Sequence, residues 1–182
     1  MKRCFVFLLL LSSLIAYSQE TSRKLNSDFR KNELRLNALL LLFEGMEFSY
    51  ERALNYDCSV GGSSLILAYK DSDLESGMNY NVTAFGRYYF GKKPVSGFFL
   101  ETFLMFFNRD NLIDYYDYNR SYSLRKIERE TNVALGLGFG VKWIRRNFSF
   151  ELSTGLGRVP RSAYNGYIPF VGRGAFGIGY QF

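Results

Sequence analysis

The sequence predicts an all-β chain: an eight-stranded antiparallel up-and-down transmembrane β-barrel with a polar, side-chain-filled lumen. Three observations carry that prediction. Apolar and polar residues alternate with a period of two from Glu33 onward, the pattern of strands with two unlike faces. Helical periodicity is hard to find, and no stretch reaches the roughly 20 apolar residues of a membrane-spanning helix. Hydrophobic residues make up 47% of the 182, with 18 Phe and 14 Tyr, a supply of buriable surface that argues against disorder. A chain of this length is enough for one domain with a sizeable core.

The alternation divides into eight segments, 33–43, 46–53, 58–69, 80–90, 97–108, 129–144, 148–158 and 168–182. In the first two, Arg35, Asn37, Glu47, Ser49 and Glu51 take the polar phase. The third and fifth leave the phase open, because Phe98 to Phe107 is apolar on both. The fourth sets Asn81, Thr83 and Arg87 on the polar face. In the sixth, Val133, Leu135, Leu137, Phe139, Val141 and Trp143 alternate with Asn132, Ala134, Gly136, Gly138, Gly140 and Lys142. The seventh opposes Phe148, Phe150, Leu152 and Leu156 to Ser149, Glu151, Ser153 and Gly155. In the eighth, Phe170, Phe176, Ile178, Tyr180 and Phe182 oppose Val171, Arg173, Ala175, Gly177, Gly179 and Gln181.

Most segments match the roughly 9–11 residues a tilted strand needs to cross a bilayer. Connections alternate between short (Leu54–Asp57, Arg145–Asn147) and long (Lys70–Asn79, Arg109–Glu128, Val159–Tyr167), as periplasmic turns and extracellular loops do. The tight Glu44-Gly45 connection is the exception.

Periodicity alone does not say which face points inward. A soluble barrel points its large apolar residues in, and an outer-membrane barrel points them out. Residues 1–18 read as a secretory signal, with basic Lys2 and Arg3, an apolar core and Ala16-Tyr17-Ser18 before a cleavage site. Residues 19–32 follow as a polar periplasmic lead-in, and the barrel occupies 33–182. Glycines share the charged face, where a narrow interior needs small residues opposite long ones. Tyr50, Tyr88, Phe90, Phe98, Trp143, Phe148, Phe150, Tyr180 and Phe182 gather at one end, as an interfacial aromatic girdle does. Together these place the polar face inside.

Several chemistries are excluded. The chain has no histidine, which removes Ser-His-Asp and Cys-His catalysis and His-ligated metals. Removal of the signal takes Cys4 and leaves Cys58 without an intramolecular partner, so no disulfide or Cys metal site is expected. Loss of Lys2 and Arg3 lowers the formal charge from +6 to +4, spread over turns and lumen rather than in a nucleic-acid stripe. Gly136-Leu-Gly138-Phe-Gly140 has the wrong spacing for a phosphate loop, and no helix follows it. No cofactor and no nucleic-acid partner are expected.

Two candidate sites remain. The inward set Arg35, Glu47, Glu51, Arg87, Glu101, Lys142, Glu151 and Arg173 balances four bases with four acids. Strand order suggests three cross-strand pairs in the periplasmic half: Arg35 with Glu51, Arg87 with Glu101, and Lys142 with Glu151. Buried ions need such partners, since an unpaired one costs several kcal/mol. The second candidate is the expected loop from Asp110 to Arg125, where Tyr115, Tyr116, Tyr118 and Tyr122 with short polar residues suit a recognition surface.

The C-terminal run Phe176-Gly-Ile178-Gly-Tyr180-Gln-Phe182 resembles the last-strand signature of bacterial outer-membrane proteins. With the signal and the alternating segments, residues 33–182 resemble small eight-stranded barrels of the OmpA/OmpX-like kind. That resemblance implies residence in outer-membrane lipid and recognition of Phe176, Ile178, Tyr180 and Phe182 by the barrel-assembly machinery. It carries over no catalytic motif. The expected function is a structural or interaction barrel with a sealed lumen, recognising an unknown extracellular ligand through its loops. The alternatives are an enzyme acting on outer-membrane lipid, such as an acyltransferase, and a secreted lipocalin-like binding barrel.

Overall fold

The computed structural model of the chain describes residues 29–42, 45–67, 78–117, 122–160 and 170–182. The expected signal segment, most of the lead-in and Tyr118 lie outside the described residues. The strands are β1 (Asn32–Asn37), β2 (Gly45–Ala53), β3 (Cys58–Leu67), β4 (Met78–Tyr89), β5 (Gly97–Asp117), β6 (Tyr122–Arg145), β7 (Phe148–Arg158) and β8 (Phe170–Gln181). A short helix α1 (Ala38–Leu41) follows β1. Each strand pairs antiparallel with its sequence neighbour, and β1 pairs with β8 to close the barrel. The fold is therefore the expected eight-stranded up-and-down barrel.

Burial follows the alternation with its usual sense inverted. Glu47, Ser49 and Glu51 of β2 are buried, and Met46, Phe48 and Tyr50 between them are exposed. The same holds on β6, where Leu135, Leu137 and Phe139 face outward and Lys142 is only 1% exposed. The ambiguous fifth segment resolves with Phe99, Glu101, Phe103, Met105 and Phe107 inside and Phe98, Leu100, Leu104 and Phe106 outside. All nine girdle aromatics are exposed near one end, here termed the turn end for its short connections.

Two segments differ from expectation. The first strand stops at Asn37, not near residue 43, because the run Ala38-Leu-Leu-Leu41, which has no β-branched residue, favours helix once it is capped. Asn37 supplies the cap, its Oδ1 accepting from the Leu39 amide at 3.2 Å. The same side chain stands in for the missing strand along β8. It accepts from the Phe176 amide at 3.1 Å and donates to the Gly174 carbonyl at 3.2 Å.

The second difference is the expected loop 109–128, which is largely strand. β5 and β6 pair continuously up to Asp117 opposite Tyr122. The register sets Asp110 opposite Arg129 and Asp114 opposite Arg125, with Leu112 opposite Ile127 between them. Tyr115, Tyr116 and Tyr122 thus belong to a ribbon that runs past the barrel wall, not to a loop.

Candidate functional site

The lumen is stacked in tiers. At the turn end Ala53, Tyr89, Val95 and Phe99 form an apolar cluster, with Phe29 of the lead-in packed against it. Further along β4 and β5, Phe85, Phe103, Met105 and Phe107 join Ala134 and Val171 in a second cluster. These rings fit because β3 and β6 present glycine to them. A Cβ on Gly61 would sit 2.5 Å from the Phe85 ring, and one on Gly140 2.6 Å from the Phe99 ring. Gly136 lies under the Phe103 ring in the same way.

The charged residues fill the space beside and between the aromatic clusters. Glu51 is their hub, taking Arg87 at 2.8 Å, Lys142 at 2.9 Å and Arg35 at 3.2 Å. Ser59 and Tyr89 each add a hydroxyl donor to Glu51 at 2.7 Å. Glu151, from the opposite wall, pairs with Arg35 and with Arg87, the latter at 2.7 Å. Arg87 reaches Glu101 at 2.7 Å, and its guanidinium lies between the Phe85 and Phe99 rings, 4.4 Å from each centroid. Arg173 then bridges Glu101 at 2.9 Å and Glu47 at 3.2 Å. All eight residues named from the sequence share one connected network.

The expected pairs describe this network only in part. Arg87 and Glu101 are direct cross-strand partners. Arg35 lies opposite Ser49, with Glu33 opposite Glu51, so Arg35 meets Glu51 diagonally. Lys142 is in register with Glu151, but its ammonium binds Glu51 and Glu33, the latter at 3.3 Å. The set is five acids to four bases, not four to four, because Glu33 belongs to it. Glu33 accepts from Arg35 at 3.0 Å, Ser149 at 2.8 Å and Gln181 at 3.0 Å. Its parity with Arg35 was the available signal, and its place at the very start of the expected segment 33–43 hid it.

Each of these ions has charged partners, and Glu33, Glu47, Glu51 and Glu151 accept from neutral donors as well, which is what lets them stay buried. Little space remains around them. Two interior cavities, one beside Arg35, Glu151 and Arg173 and the other beside Glu33, Glu51 and Lys142, hold about 10 Å³ each. That is room for about one water apiece. Among the described residues no group of acidic or cysteine side chains has the arrangement of a metal site. The geometry cross-braces the wall. Phe176, Ile178, Tyr180 and Phe182 stand on the outer face, away from these charges.

No known protein family profile matches the chain, and no curated protein matches it significantly in sequence. Solved structures do resemble it. The N-terminal β-barrel domain of Pseudomonas aeruginosa OprF superposes with a TM-score of 0.52 at 16% identity, covering 84% of this chain and 98% of that one. Neisserial surface protein A gives 0.44 at 12% identity, covering 84% and 95%. The likeness to the OprF domain shows the shared barrel fold.

Proposed function

We propose that the chain spans the bacterial outer membrane as a sealed, internally braced barrel, with the β5–β6 ribbon as its outward-facing interaction element and no catalytic step. One observation carries this reading: charged residues are buried inside, and an apolar belt faces out. On β6 that belt runs from Val133 to Trp143 with no charged residue on the outer face, and Arg145 begins immediately beyond it. Eleven tilted strand residues span about 25 Å, the height of the apolar band on an outer-membrane barrel. A soluble barrel would expose this belt to water, far above the few hundred Å² of apolar patch that soluble monomers tolerate.

In this orientation both strand termini and the short turns are periplasmic. The outer aromatics of β8, including Phe182, then suit recognition by the assembly machinery. The test is fractionation with surface proteolysis. The protein should stay with outer membranes through a carbonate wash, and protease added to intact cells should cut the β5–β6 ribbon while sparing the Arg146-Asn147 turn. Release by carbonate would overturn the membrane reading. Cleavage at the turn with an intact ribbon would overturn the orientation.

A further inference from the structure

At the turn end, the β6–β7 connection and the end of β8 enclose a surface concavity of about 640 Å³. It is lined by Arg145, Arg146, Asn147, Phe148, Phe150 and Tyr180. The size is that of a small-molecule site. Its walls are of two kinds: exposed aromatic rings on the membrane-facing side, and guanidinium groups at the rim. Asn147 ties the parts together, donating to the Tyr180 hydroxyl at 3.0 Å and accepting from Arg30 at 2.6 Å. Arg30 thereby stands beside the same rim.

Among the described residues, Arg145 and Arg146 make no ion pair, in contrast to every cation of the lumen network. Arg52, Lys92 and Lys93 are also exposed at this end. The backbone adds an independent sign. Arg146 opens the two-residue turn with φ of 58°, the left-handed region where glycine is the inexpensive choice. An arginine held there costs conformational energy, and such outliers concentrate at sites of function.

We infer that this concavity binds an anionic phospholipid, with the headgroup phosphate on Arg145 and Arg146 and the upper acyl chain along Phe148, Phe150 and Tyr180. The inference rests on the membrane reading above, because the girdle sets these rings at headgroup depth. Planar guanidinium groups grip phosphate oxygens through paired hydrogen bonds. A basic side chain near the surface attracts an anionic lipid by about fivefold.

The molecule carries its own reporter. Trp143 is the single tryptophan, exposed on the outer face and paired in register with Phe150. The full chain, folded into phosphatidylcholine vesicles, would receive a small fraction of phosphatidylglycerol brominated on its acyl chains, or the same fraction of brominated phosphatidylcholine. Trp143 fluorescence should be quenched by the anionic lipid at about one fifth of the neutral lipid's concentration, or less. Arg145→Gln with Arg146→Gln should abolish that preference; both residues are exposed, so folding should be unaffected, as heat modifiability on gels checks. Lys92→Gln with Lys93→Gln should keep it.

Equal quenching by the two lipids would overturn the site while leaving the membrane reading intact. Quenching by neither would overturn the membrane reading itself. A preference lost equally in the lysine variant would reduce the site to general surface charge. Loss of the preference when inorganic phosphate replaces chloride at matched ionic strength would assign the rim to the free ion, and overturn the lipid.

Discussion

The two fillings of the lumen, ionic and aromatic, solve the same packing problem by different physics. The aromatic filling is local: Phe85, Tyr89, Phe99, Phe103 and Phe107 come from two adjacent strands, β4 and β5, and the glycines of β3, β6 and β7 make room for them. The ionic filling is global: Glu33, Glu51, Arg87, Glu101, Lys142, Glu151 and Arg173 come from seven different strands. A ring needs only a hole of the right shape. A buried charge needs several partners at once, so no single strand can be moved without breaking a contact elsewhere. The ionic network therefore fixes how the barrel closes, and the aromatic clusters fix how tightly it is filled.

This contrast is broken most directly at the hub. Glu51→Ala leaves Arg35, Arg87 and Lys142 competing for fewer carboxylates, and is expected to destabilise the fold by about 3–5 kcal/mol in urea unfolding from lipid vesicles. A loss near zero would mean that the buried cations find water instead. The aromatic filling should respond less. Gly136→Ala drives a methyl into the Phe103 ring, and overpacking of this kind costs about 1–3 kcal/mol. Combining it with Phe103→Leu should restore most of that loss, whereas an additive double variant would show that the ring is not the obstacle.

The smallest effect separates the two fillings at the residue they share. Tyr89 packs against Phe99 and also donates to Glu51. Tyr89→Phe keeps the ring and removes one of five donors, so about 1 kcal/mol should be lost in the same assay. A loss as large as that of Glu51→Ala would make the hydroxyl, not the cations, the main support of the hub.

Strand identity and facing were legible in the sequence because the period of two is repeated eight times and glycine accompanies the charges. The apolar residues of 97–108 did not show their facing, since both phases of that segment are apolar and Glu101 alone marked the inward one. The helix at Ala38–Leu41 was hidden because Leu fits a lipid-facing strand as well as a helix. The ribbon beyond Asn108 was hidden by its acids and tyrosines, which read as a loop until Asp110 and Asp114 are set opposite Arg129 and Arg125. For the charged site, residue identity was readable and partnership was not. Arg87 to Glu101 is an adjacent-strand contact, which strand order gives. Arg35 to Glu151 and Lys142 to Glu51 cross the lumen, and depend on the stagger with which the barrel closes.

The central claim, a lumen filled to the point of closure, is tested most directly by conductance. The full chain should be inserted into a planar bilayer and its current recorded under a holding voltage. The tiered interior, with cavities of about one water each, predicts no steady single-channel current. A stable, reproducible open-channel conductance from the unmodified protein would contradict it.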